Sequence, residues 1–220
     1  MQAALILSGC GVNDGSEIHE AVLTMLHLDQ AGIGIQTFAP DAEQAAVVNH
    51  CTGQAESGQQ RNMLIESARI ARGTIKPLAA WTPEACDMVI FPGGFGAARN
   101  LCTFADDGPD CRVETHTEQV LRTALTRKIP IGALCIAPTL VARVAGMLAL
   151  PVQVTIGSDP QVAAAIRAMG AEHIDCAVNQ AVTDTTHRVA TSPAYMLAGS
   201  IAEVSQSAHA LVDALVRLTA

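Results

Sequence analysis

Three segments set reactive or donor groups beside glycine-rich turns. In Gly132-Ala133-Leu134-Cys135-Ile136-Ala137-Pro138-Thr139 a short apolar run delivers a cysteine to a turn that precedes a helical pattern. This is the layout of a nucleophile elbow, in which the reactive side chain stands at a strand end and the following backbone N–H groups face whatever it attacks. A helix N-terminus beside the sulfur favours the thiolate, the form that acts as nucleophile. The competing reading is a small buried hydrophobe at a strand end, a common fate of a free cysteine.

The second segment, Pro92-Gly93-Gly94-Phe95-Gly96, follows another apolar run. A turn without Cβ atoms lets backbone N–H groups approach a developing oxyanion, although tight packing alone would also select it. It matches neither the dinucleotide fingerprint nor a phosphate loop, so no nucleotide site is expected. The third segment runs from Ser8 through Gly9-Cys10-Gly11 to Glu20. Ser16 is predicted to cap a helix whose first turn carries Glu17 and Glu20. Glu17 reads as a surface acid that complements the helix dipole. Glu20 adjoins the stripe that must face a sheet, so its carboxyl is expected in the crevice where Cys135 emerges. There it would stay protonated and donate to the sulfur, or carry protons during turnover.

These segments need a scaffold that brings strand ends together. Short apolar runs at Ala3–Leu7, Ile33–Phe38, Met88–Phe91, 128–134, Val152–Ile156 and Val189–Thr191 read as strands. Helical spacing follows from Glu17 through Ile18, Val22, Met25, Leu26 and Ala31 to a stop at Gly32. It recurs near Arg61–Arg72, Glu114–Arg127, Thr139–Val144, Pro160–Met169 and Ala194–Leu218. The alternation predicts an α/β fold, a doubly wound and mainly parallel sheet with helices on both faces, built as one domain over residues 1–220. Ligands of such sheets sit beyond the carboxyl ends of the strands. The polar stretches Asp41–Gln60 and Thr103–Val113 read as insertions that shape the mouth of a site.

Composition fits this picture. The chain has 220 residues, 50% of them hydrophobic but only 3% aromatic, so its core must be filled by Ala, Val, Ile and Leu. With 13 basic and 21 acidic residues the net charge of −8 opposes binding to nucleic acid or to anionic membranes. No apolar run is long enough to span a bilayer, and the chain reads as cytoplasmic. Seven cysteines at irregular spacing, without a C-x-x-C pair, suggest neither a disulfide framework nor zinc. No H-x-x-x-H or H-E-x-x-H occurs, so no metal is expected.

At these motifs the sequence resembles the ThiJ/PfpI superfamily, and within it the ElbB branch of glyoxalase-like proteins linked by name to isoprenoid biosynthesis. The matching stretches are Leu7–Val12, Asp14–Val22, Phe38–Asp41, Pro92–Ala98, Cys135–Pro138, Thr155–Gly157, Met169–His173 and Thr191–Leu197, nearly the whole chain. The resemblance implies a flavodoxin-like sandwich, a nucleophilic Cys135, a partner carboxylate at Glu20, and oxyanion donors from the backbone of Gly93, Gly94 and Ile136. It also implies a homodimer and a cofactor-independent conversion of glyoxal or methylglyoxal to the hydroxy acid through a Cys135 hemithioacetal, without metal or glutathione.

One departure stands out: superfamily members with a hydrolytic or efficient glyoxalase site carry His directly after the nucleophile, and this chain has Ile136. That opposes a protease or glutamine amidotransferase reading and points to slow turnover, with either Glu20 alone or a distant histidine as the base. A protein that senses oxidants or reactive carbonyls through Cys135 is the alternative. Cys10, Gly11, His19, His173, Ser192 and Tyr195 are further candidates for the pocket. His27, His50, His116, His187 and His209 read as surface or structural residues.

Overall fold

The computed structural model describes residues 1–219. The elements follow as β1 (Gln2–Ile6), α1 (Ile18–Gln30), β2 (Gly34–Ala39), β3 (Val48–Asn49), β4 (Gln54–Ala55), α2 (Met63–Ile70), β5 (Lys76–Pro77), β6 (Met88–Phe91), α3 (Phe95–Arg99), α4 (Phe104–Asp107), α5 (Thr115–Arg127), β7 (Ile131–Leu134), α6 (Pro138–Met147), β8 (Gln153–Val154), α7 (Pro160–Ala168), β9 (Glu172–His173), β10 (Val182–Asp184), β11 (Val189–Ser192) and α8 (Ile201–Thr219).

A seven-stranded sheet in the order β10-β11-β7-β6-β1-β2-β5 forms the centre. All neighbours are parallel except β10, which runs antiparallel to β11. The chain winds outward from β1 through β2 to β5, then returns to β6 and winds the other way. The direction of winding therefore reverses between β1 and β6, and the carboxyl ends of these strands open into a crevice.

Strand alternation feeds two apolar layers. Ala3, Leu5, Leu7, Met88 and Ile90 point to one side with Ala21, Leu28, Leu211 and Leu215 of α1 and α8. Ala4, Ile6, Val89 and Phe91 point to the other, where Leu121 and Ala124 of α5 and Leu140 and Val144 of α6 cover them. The mainly aliphatic core expected from composition is what fills both layers.

Three local expectations fail, each for an identifiable reason. Ser16 is not the cap of α1: its hydroxyl accepts the N–H of Ser8, and Glu17 takes the cap, accepting the N–H of Glu20 at 2.7 Å. The apolar stripe of α1 does not face the sheet. Ile18, Val22 and Leu26 are 41, 46 and 44% exposed, while Glu20, Ala21, Thr24 and Leu28 are buried. The helix approaches α8 and the sheet closely through its smaller side chains. Nor is Ala194–Leu218 one helix. A single turn at Ala194–Met196 comes first, and α8 starts only at Ile201, because the chain leaves helical geometry at Leu197, where φ is −128°.

Candidate active site

Cys135 is the first residue beyond β7 and has φ 57°, a left-handed conformation that L-residues avoid at a cost of about 1 kcal/mol or more. The surroundings enforce it. The Cys135 N–H donates to the carbonyl of Ser192 at 3.0 Å, continuing the β7–β11 ladder, and the chain then turns into α6 with Pro138 in its first turn. The elbow expected from sequence is present. The backbone N–H groups of Gly94 and Ile136 are near enough to the sulfur to favour its ionised form.

Glu20 is fully buried, as its position on the inward face of α1 dictates. Its Oε2 accepts the N–H of Gly93 at 2.8 Å and its Oε1 accepts the N–H of Tyr195 at 3.2 Å. The carboxyl also contacts the Cys135 thiol. Loss of hydration, together with the nearby charge of Glu17, lifts the Glu20 pKa from 4.5 to about 7, against the pull of those hydrogen bonds. Burial, and then the Glu20 charge, also push the Cys135 thiol well above its ordinary range. Gly94 and Ile136 pull the other way without prevailing. The expectation of a thiolate at rest is therefore corrected: the pair keeps a proton at neutral pH, on sulfur while Glu20 is ionised.

The glycines of the 92–96 turn have separate reasons. A Cβ on Gly93 would lie 2.5 Å from the Cβ of Cys135 and 2.7 Å from Oε2 of Glu20. Gly94 has φ 91°, and this brings its N–H round to the sulfur. The N–H of Gly93 is engaged by Glu20, so the donors left at the sulfur are those of Gly94 and Ile136.

A cavity of about 420 Å³ opens in front of the sulfur, lined mainly by apolar groups. Val12, Phe95, Ala98, Phe104, Ile136 and Met196 supply most of this wall, and Arg99 and Tyr195 supply its polar groups. Phe104 and Ala105 come from the Thr103–Val113 insertion, which does shape the mouth. Asp41–Gln60 does not. It folds as the β3–β4 hairpin and braces the loop after β1, with Val48 N–H donating to Asp14 and Asn13 N–H donating to His50.

Of the remaining candidates, only Tyr195 lines the cavity. His19 stands behind it, with Nδ1 2.7 Å from the Tyr195 hydroxyl. Ser192 is buried and acts through its carbonyl on Cys135. Cys10 and Gly11 belong to the braced loop, outside the lining; Cys10 is near Glu66 and Arg69, and Gly11 is beside His50. His173 is buried in β9, where Nε2 accepts the N–H of Ile156 at 3.3 Å, and burial lowers its pKa. It plays no part in the lining. Arg99, Phe95 and Phe104 were missed in the sequence. The signal was there for two of them: Phe95 and Arg99 are four apart in the helix that leaves the glycine turn, hence on the same face.

Among the described residues no group of three His, Cys, Asp or Glu side chains is placed to hold a metal ion. The arrangement can perform covalent chemistry: a thiol nucleophile, a carboxyl beside it with a pKa of about 7, and two amide donors near the same point.

Comparison with models of protein families finds no match. Individual relatives are clear. A human glutamine amidotransferase-like class 1 domain-containing protein 3, mitochondrial, is 44% identical, covering 99% of this chain and 83% of its own. The rat ES1 protein homolog, mitochondrial, is 42% identical over 99% and 84%. The cytoplasmic expectation finds no support in these two names; in the described residues no helix is long and apolar enough to cross a membrane. Among solved structures, the isoprenoid biosynthesis protein with amidotransferase-like domain from Ehrlichia chaffeensis superposes with a TM-score of 0.93 at 36% identity, covering both chains fully. Drosophila melanogaster DJ-1beta, at 17% identity and a TM-score of 0.58 over 99% of this chain and 94% of its own, shares the fold. The sequence match along the whole chain decides the family, and the sandwich fold agrees with it: this chain belongs to the ElbB-like, ES1 family of glutamine amidotransferase-like proteins, whose fold DJ-1/ThiJ/PfpI proteins share.

Proposed function

We propose that the chain is a cofactor-independent, glyoxalase-like enzyme acting on reactive aldehydes, with glyoxal and methylglyoxal as the simplest substrates. The observation that carries this reading is the contact between the Cys135 thiol and a buried Glu20 whose pKa is about 7. A base of that strength is suited to work near neutral pH, and it takes the place of the histidine that Ile136 replaces.

The ionised Glu20 accepts the thiol proton as sulfur adds to the aldehyde carbon, and the resulting alkoxide is met by the N–H groups of Gly94 and Ile136. After that oxygen is protonated, Glu20 removes the proton from the former aldehyde carbon, giving an ene-diol, and returns a proton to the neighbouring carbon. The product is a thioester of the hydroxy acid. Water cleaves it, releasing the acid and restoring the thiol, so the net change is dicarbonyl plus water to hydroxy acid. Low activity is expected, because one carboxyl serves every proton transfer.

Purified protein is expected to convert methylglyoxal without added thiol, with kcat/KM rising through about pH 7 as Glu20 ionises. Cys135→Ala should abolish turnover and leave the circular dichroism spectrum unchanged; full activity in that variant overturns the mechanism. The sensor reading is disfavoured by the raised thiol pKa, since peroxide oxidises thiolates. A homodimer belongs to the same proposal, supported by the resemblance and by the uncovered Ile18, Val22 and Leu26 of α1. Light scattering measures it, and a monomer excludes it.

A further inference from the structure

The cavity is larger than a small dicarbonyl needs and mainly apolar, yet one wall carries a guanidinium. The Arg99 Cζ lies 5.5 Å from the centroid of the Phe95 ring, which holds the side chain against the cavity lining. Its Nε is shielded from solvent and has no hydrogen-bond partner. The guanidinium forms a distant ion pair with the exposed Asp106, whose Oδ1 is 3.8 Å from Nη2, too far for a hydrogen bond. The planar fork of donors thus packs against an aromatic ring, with one distant ion pair to Asp106 and no hydrogen bond, a state that matches a carboxylate in shape and charge. In a protein of net charge −8, a cation on an apolar wall selects its ligand by sign.

We propose that the aldehyde accepted by this site has an apolar body and an anionic group, and that Arg99 binds the anion while the body fills the space bounded by Phe95, Phe104 and Met196. The inference rests on the reading above only for where the aldehyde sits. Binding of the anionic end is a separate property of the wall, and it can be measured with ligands that do not react.

Calorimetry with hydrocinnamate and its neutral amide, hydrocinnamide, tests it on the Cys135→Ala protein, where no covalent step intervenes. A charge-assisted contact at a partly exposed guanidinium predicts that the acid binds severalfold more tightly than the amide, with the ratio shrinking as salt is raised. Arg99→Met should bring the ratio to about one. Asp106→Asn should strengthen binding of the acid severalfold, because it removes the charge that competes for the guanidinium; a structural role for Arg99 would not produce that gain. Equal binding of acid and amide, a preference that survives Arg99→Met, or binding of neither ligand overturns the proposal. Turnover of methylglyoxal by the unmodified protein reads the catalytic proposal separately, so either can fail while the other stands.

Discussion

Replacing Glu20 by Gln tests the electrostatics of the site without any substrate. A carboxyl whose pKa is about 7 when folded and 4.5 when unfolded binds protons more tightly in the native state. Between these values the native protein therefore holds more protons than the unfolded chain, and stability falls as pH rises through the window. The shift of roughly two to three units corresponds to about 3 kcal/mol, present below pH 4.5 and lost above pH 7. Gln cannot ionise, so the variant lacks this loss. It carries instead a pH-independent penalty of about 1–3 kcal/mol, because its amide nitrogen faces one of the two N–H groups, of Gly93 or Tyr195, that the carboxylate satisfies. The slope against pH, rather than the absolute value, is thus the diagnostic. Urea unfolding of both proteins under reducing conditions from pH 4.5 to 8 measures it. With a urea dependence of about 3 kcal/mol/M, the difference between the two midpoints should change by about 1 M across the range, in favour of the variant at high pH. Parallel curves would refute the claim that burial holds this carboxyl protonated, and with it the base assigned to the reaction.

Gly93→Ala should lower activity and destabilise by about 1–3 kcal/mol, since the added Cβ meets the Cβ of Cys135 and Oε2 of Glu20; urea unfolding and turnover together check it. Leu121→Ala, at a fully buried position beneath the sheet, should cost about 2–5 kcal/mol in urea midpoint measurements and leave Cys135 alkylation by iodoacetamide unchanged. Asp184 is pushed up by burial but held below the usual carboxylate range by the N–H groups of Gln153 and His187 and by the His187 ring. Its contribution is present at neutral pH and disappears as pH falls through that lowered value. Asp184→Asn should accordingly cost about 1–3 kcal/mol at pH 7 and less in acid, as read by unfolding at both pH values.

Strand positions were legible in the sequence because apolar runs bounded by turns have few other readings; Met88–Phe91 appears in the structure as expected, and β1 is displaced by one residue. The crevice was legible too, since Cys135, Gly94 and Glu20 each follow a strand on the sheet's carboxyl side. The orientation of α1 was not. Hydrophobic periodicity selects Ile18, Val22 and Leu26, yet the buried face carries Glu20 and Thr24, which composition alone assigns to solvent. The same inward turn of the helix places Glu20 at the sulfur, so the feature that misled the packing argument is what builds the site. The protonation state of Cys135 also escaped, because the balance between burial and two amide donors depends on distances that motifs do not contain. β5 and β10, of two and three residues, are too short to stand out from their surroundings.

The turn after β11 holds both reacting partners. Ser192 anchors the backbone of Cys135 through its carbonyl, Tyr195 holds the Glu20 carboxyl through its N–H, and between them the Ala194 N–H is tied to Ser207 of α8. A displacement of this short bracket carries sulfur and carboxyl in the same direction, so their separation is buffered against breathing of the surrounding helices. Proton transfer depends steeply on that gap, and a shared mount keeps it constant without requiring the rest of the crevice to be rigid.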